Sequence, residues 1–218
     1  SGHFNIFTGS ATNGKGGDML LSIGSGTTKT GGDIVMTAGL STATSVGTGG
    51  AISVSTGEGE STSSGALIVA TVNAGTSGVS GALRFTSGTA SSGASGYIQI
   101  ATGSATNGEG GDILVSVGKS KTDPGGDVVV TAGHSEPFSG GAISIASGEG
   151  TTDTSGAIIV KTMNAGVSGV SGMLSFTSGT ASSGTSGHFN IFTGSATNGK
   201  GGDMLLSIGS GTTKTGGD

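Results

Sequence analysis

Aspartate follows a pair of glycines six times, at Asp18, Asp33, Asp112, Asp127, Asp203 and Asp218. Carboxylates repeating beside paired glycines are also the ingredients of calcium-binding β-rolls, where the nine-residue pattern GGxGxDxUx sets the ligands in rows. Here successive Asp residues are 15 positions apart, and each stands directly ahead of an aliphatic run. A carboxylate row through Asp18, Asp33, Asp112 and Asp127 could take calcium. The ordinary reading, which is the one adopted, is a solvated Asp at the start of a strand. No metal site is therefore assigned.

The other chemistry-bearing residues give less. His3 and His188 hold the same repeat position, and neither they nor His134 have a second His or Cys at ligand spacing. The stretches GKGGD and GEGGD resemble phosphate loops only in their glycine, since GxxxxGK[ST] is absent and no helix follows to cap an anion. No Ser lies in GxSxG or beside a His and an Asp in a defined order. Paired carboxylates for glycoside cleavage need fixed positions, whereas these lie mainly in loops. Ice binding would need a repeated T-x-T row, but Phe7, Ala70, Lys161 and Thr177 occupy equivalent places. The sequence points to no enzyme, with no catalytic residue, no cofactor and no cofactor-binding residue.

Composition narrows the classes further. Of 218 residues 49 are Gly, two are Pro, and none is Cys or Trp. A chain so rich in glycine and poor in aromatics is a candidate for disorder, because little apolar surface is available to offset the ordering entropy. The scarcity of Pro excludes collagen and Pro/Gly linkers. The formal charge is −5, with the eight basic residues dispersed, so the chain lacks the basic stripe of a nucleic-acid binder. No run of 18 apolar residues marks a membrane span. No signal peptide is visible, and the chain starts within its own repeat pattern. With no N-x-[ST] sequon, N-glycosylation gives no clue to secretion.

The chain repeats at three scales. Residues 186–218 match residues 1–33 letter for letter, which sets a period of 185 residues. Within it, residues 1–94 and 95–185 are homologous halves of six units each, and 186–218 begins the next period, so that 1–218 reads as one continuous array. The smallest unit is about 15 residues long, G-x-Φ-x-Φ-x-[small or Φ]-G followed by a polar loop. Short fixed periods of this kind mark solenoids.

These units must position whatever the protein uses. Alternation at period two places Met19, Leu21 and Ile23 on one side of a segment, and likewise Ile113, Val115 and Val117. The pattern predicts an all-β fold, a β-solenoid of ~15-residue units with strands stacked in register around a shared aliphatic core. A 15-residue coil would set the large strand residues against small ones such as Ala11, Gly59, Ala105 and Gly150. A 30-residue coil would separate the Asp pairs, which repel when stacked, and an antiparallel meander is a third geometry. The strand terminators, Gly at Gly24, Gly39, Gly103 and Gly133 but Asn at Asn73 and Asn164, predict a left-handed backbone at that position.

The middle outward position of each strand carries the functional expectation. Half of these positions are aliphatic: Leu20, Val35, Ile68, Leu114, Val129 and Ile159. A lone soluble array would not display such a series, so these six residues are expected to form a self-association face covered by another chain or layer.

The stretch GGDILVSVGKSKTDPGGDVVVTAG resembles the Gly/Ser/Thr-rich repeats of giant extracellular and cell-surface fibre proteins, notably those of diatoms and related algae. It is also similar to GGxVxIxAG stretches of phage tail fibres. The resemblance implies a structural, secreted role, extracellular or at the cell surface, and brings no binding or catalytic residue with it. The expected function is thus the shaft of an extracellular filament, with further copies of itself as partner. The alternative is an adhesin stalk that presents loops to a glycan or surface, with Phe138 and the Lys119–Lys121 pair as contacts.

Overall fold

The computed structural model describes residues 2–27 and 30–211. Within them the backbone forms neither helix nor β-strand. The expected β-solenoid, with its stacked rungs, is therefore overturned in both its 15- and 30-residue forms. So is the shared core, because no side chain among the described residues is buried. The accessible surface is 21913 Å² for 20.3 kDa. A compact globule of that mass would expose about 8,800 Å² and an extended chain about 29,000 Å², so most of the surface available to the chain stays in solvent.

The physical reason lies in what one unit can gather. Each unit of about 15 residues carries between two and six large apolar side chains. Burying them within one unit would stabilise it. Fixing the backbone of 15 residues opposes this, and glycine raises that cost. Only stacking shared along the array could reverse the balance, and among the described residues no strand ladder joins these segments.

What the backbone does form is a periodic series of bends. Their apices fall at 12–14, 44–46, 60–62, 76–78 and 91–93, and again at 106–108, 121–123, 136–138, 151–153, 167–168, 182–184 and 197–199. Several loops are closed by one main-chain hydrogen bond between glycines. The N–H of Gly17, Gly65, Gly141, Gly156 and Gly202 donates to the carbonyl eight residues earlier, and that of Gly50 to the carbonyl of Gly39. These bonds measure 2.8 to 3.5 Å. The loops bring the chain back toward itself as a meander would, but the flanking segments leave without pairing.

The closures explain glycine at the donor positions of these bonds. A Cβ added at Gly17 would lie 3.1 Å from the Thr8 Cβ, and one at Gly141 would lie 3.3 Å from the Gly133 nitrogen. Close backbone approach, not a special dihedral angle, selects glycine there. The terminators behave differently from expectation too. Among the described residues no non-Gly residue has positive φ, and the positive-φ glycines are Gly78, Gly93 and Gly184. Asn73, Asn164 and the terminators Gly24, Gly39, Gly103 and Gly133 are thus not left-handed. Gly39 and Gly133 serve by offering a carbonyl to close the loop.

The chain divides into two units, Ser1–Ile113 and Leu114–Asp218. The first holds the Gly17, Gly50 and Gly65 closures, and the second those of Gly141, Gly156 and Gly202. The duplication boundary after residue 94 lies inside the first unit.

Candidate functional site

The aliphatic segments between the bends keep their two-residue alternation. In the six segments with an aliphatic triplet around Leu20, Val35, Ile68, Leu114, Val129 and Ile159, the middle residue is 78–88% exposed. Its neighbours on either side are 53–73% exposed. An extended backbone sends successive side chains to opposite sides, and this alternation is its signature. Among the large apolar side chains Ile23 and Val117 are shielded most, at 46% and 47% exposed. The segment at Met204 departs from the pattern, since Leu205 and Leu206 are equally open.

The six residues expected to form a self-association face are accordingly all open to solvent. Their neighbours, expected to be core, are open as well, so each segment presents apolar side chains on both sides. Leu20, Val35 and Ile68 lie in the first unit, and Leu114, Val129 and Ile159 in the second.

The carboxylates are solvated. Asp18 accepts a 2.7 Å hydrogen bond from the Lys15 ammonium, and Asp203 accepts one from Lys200 in the same geometry. Each of these pairs is about three-quarters exposed. The identical spacing of Lys and Asp in the 185-residue repeat explains why the contact recurs. At the corresponding place in the second half, Glu109 replaces the lysine ahead of Asp112. Asp33 and Asp127 are exposed at the start of their segments. Among the described residues no three His, Cys, Asp or Glu side chains come together as a metal group. Asp218 lies outside the described residues.

The loops hold themselves through short side-chain bonds. The Ser135 hydroxyl accepts from the Phe138 N–H, and the Ser120 hydroxyl from the Asp123 N–H. These bonds place Phe138 at a bend apex with its ring in solvent. His3, His134 and His188 are likewise exposed, and no pocket forms among the described residues. No helix there is long and apolar enough to cross a membrane.

The sequence reasoning missed the glycine pairs that close the loops. The signal was present, because Gly9 and Gly17, Gly57 and Gly65, and Gly148 and Gly156 share one spacing. The sequence pattern presents these glycines as separators of strands, whereas they act as partners. Comparison of the chain with protein-family models, with curated proteins and with solved structures finds no match.

Proposed function

We propose that this chain is a structural repeat protein, the shaft material of an extracellular filament, whose aliphatic segments find their partners on other copies of the same sequence. One observation carries the reading: a regularly repeated aliphatic series stays exposed in the single chain. The accessible surface of the whole chain exceeds that of a compact globule of equal mass by many times the ~1,600 Å² of a standard protein interface. Monomeric soluble proteins rarely keep contiguous apolar patches beyond a few hundred Å². The repeat supplies the same face at regular intervals, so a second copy offers a matched partner at every interval.

Charge favours the same partner. The chain is only modestly acidic, with 13 acidic against eight basic residues dispersed along it, so copies can approach at physiological ionic strength, where screening acts over about 8 Å. The small side chains that dominate the loops let neighbouring chains come close.

Electron microscopy of the purified protein across a concentration series tests this. Filaments forming above a threshold concentration are the expected result. Dispersed, non-associating chains at every concentration would reject it.

A second reading rests on Phe138. An exposed aromatic ring at a loop apex offers a large contact area to an external surface, and it favours an adhesin stalk. Binding to a glycan array that is lost in Phe138→Ala, with filament formation intact, would select this reading.

A further inference from the structure

Three asparagines in this chain precede glycine: Asn13, Asn107 and Asn198. All three stand at the apices of bends, within 12–14, 106–108 and 197–199. The remaining asparagines precede larger residues. Asn73 and Asn164 precede Ala, and Asn5 and Asn190 precede Ile.

We propose that Asn13, Asn107 and Asn198 are sites of spontaneous deamidation, a covalent modification that the loops promote without any enzyme. The reaction needs the backbone nitrogen of the following residue to reach the asparagine side-chain carbon. Nothing at these apices prevents it. Gly14, Gly108 and Gly199 donate no main-chain hydrogen bond among the described residues, so the attacking nitrogen is held by no acceptor. Around Gly108 no atom lies within 4 Å of where a Cβ would stand, and around Gly14 and Gly199 only an alanine methyl at 4.0 and 3.9 Å does. The apices are exposed, so water has access.

The step balances with water as the only co-reactant. The Gly14 nitrogen bonds to the Asn13 Cγ, the Cγ–Nδ2 bond breaks, and ammonia leaves carrying the proton that the glycine nitrogen gives up. Water then opens the succinimide ring. Addition at Cγ yields aspartate, and addition at the main-chain carbonyl carbon yields isoaspartate. Because the nitrogen must lose its proton, the reaction quickens as pH rises.

Two consequences follow for the array. Each conversion adds one negative charge, and each 185-residue period carries two such sites, Asn13 and Asn107. A chain already at −5 becomes more acidic with age. Isoaspartate also lengthens the backbone by one carbon inside the loop that the Gly17 to Gly9 bond closes. The proposal depends on loop chemistry alone and holds whether or not the chain forms filaments.

The test is incubation of the full chain at mildly alkaline pH, with peptide mapping by mass spectrometry to follow the acid-for-amide exchange at every asparagine. Asn13, Asn107 and Asn198 are expected to convert roughly tenfold or more faster than Asn73 and Asn164, a barrier difference of about 1.4 kcal/mol or more. Gly108→Ala is expected to slow Asn107 to the rate of Asn73 while leaving Asn13 unchanged. Conversion at Asn13, Asn107 and Asn198 no faster than at Asn73 and Asn164 would overturn the proposal. So would an Asn107 rate unaffected by Gly108→Ala.

Discussion

Phe176 and Phe189 stack across a loop, with ring centroids 6.5 Å apart and planes at 27°. The chain folds back between them: a Cβ on Gly187 would lie 3.8 Å from that of Ser178. Both contacts join residues at equal distances from the loop centre, as in an antiparallel reversal. At the equivalent reversal one half-period earlier stand Phe85 and Ile98, so that reversal has an aromatic on one side only.

Stacking of this kind contributes about 0.5–1.5 kcal/mol beyond area burial, and both rings remain largely exposed. The contact is therefore expected to be detectable but weak. Nuclear Overhauser contacts between the two rings should be present at low concentration and should vanish in Phe189→Ala. A variant carrying Ile98→Phe should acquire the same contact with Phe85. Absence of ring contacts in the parent chain would contradict the reversal at this loop.

The paired loops around Gly59 and Gly150 give a sharper contrast. A Cβ on Gly59 would lie 2.5 Å from the Ser63 carbonyl oxygen, and one on Gly150 would collide with the Thr154 carbonyl. Both obstacles are backbone, which cannot swing aside. Gly59→Ala and Gly150→Ala are expected to open their loops and to speed amide hydrogen exchange at Gly65 and Gly156, whose N–H groups close them. Gly103→Ala, with nothing within 4 Å, should leave exchange at those two positions unchanged. Equal exchange at Gly156 in Gly150→Ala and in the parent chain would show that the loop is not closed in solution.

The punctuation of this chain was legible from its residues, and its tertiary arrangement was not. The loop positions, the spacing of the glycines and the alternation around residues such as Leu20 and Ile159 all follow from local rules of backbone and side-chain geometry. Whether successive segments stack depends on a small difference between large terms, and a repeat pattern carries no sign for that difference. Gly59 and Gly150 illustrate the limit. Their small size fits the return segment of a solenoid coil, yet the close approach that requires it is inside a single loop. Asn73 and Asn164 make the same point, since a residue tolerant of left-handed backbone does not oblige the chain to use it. The six alternate residues from Leu20 to Ile159 were legible as an outward series. Its exposure in the single chain follows because neither side of each segment is covered.

The ion pair in the first loop is expected to matter little. Lys15 and Asp18 are each largely in water, and exposed pairs contribute about 0.2–1 kcal/mol. Lys15→Glu copies the natural sequence at Glu109. It should raise hydrogen exchange at Gly17 by at most about fivefold, the factor that corresponds to ~1 kcal/mol. The difference should shrink as salt is added, because screening weakens exposed pairs. A larger change, or one independent of salt, would mean that Lys15 holds the loop through something other than Asp18.

The aliphatic face offers the strongest test of the filament reading. Six substitutions, Leu20→Ser, Val35→Ser, Ile68→Ser, Leu114→Ser, Val129→Ser and Ile159→Ser, replace the middle residues of six segments and leave every loop closure in place. Because these side chains are 78–88% exposed in the single chain, their loss should leave its circular dichroism unchanged, a spectrum without helix or strand signatures. Assembly should respond strongly. If each side chain is buried between copies, its removal forfeits about 1.5–3 kcal/mol, so sedimentation velocity should find the variant monomeric at concentrations where the parent chain associates. Sulfate should promote association of the parent and urea should reverse it, since the first strengthens apolar burial and the second weakens it. A variant that assembles as readily as the parent would show that the copies meet through their loops.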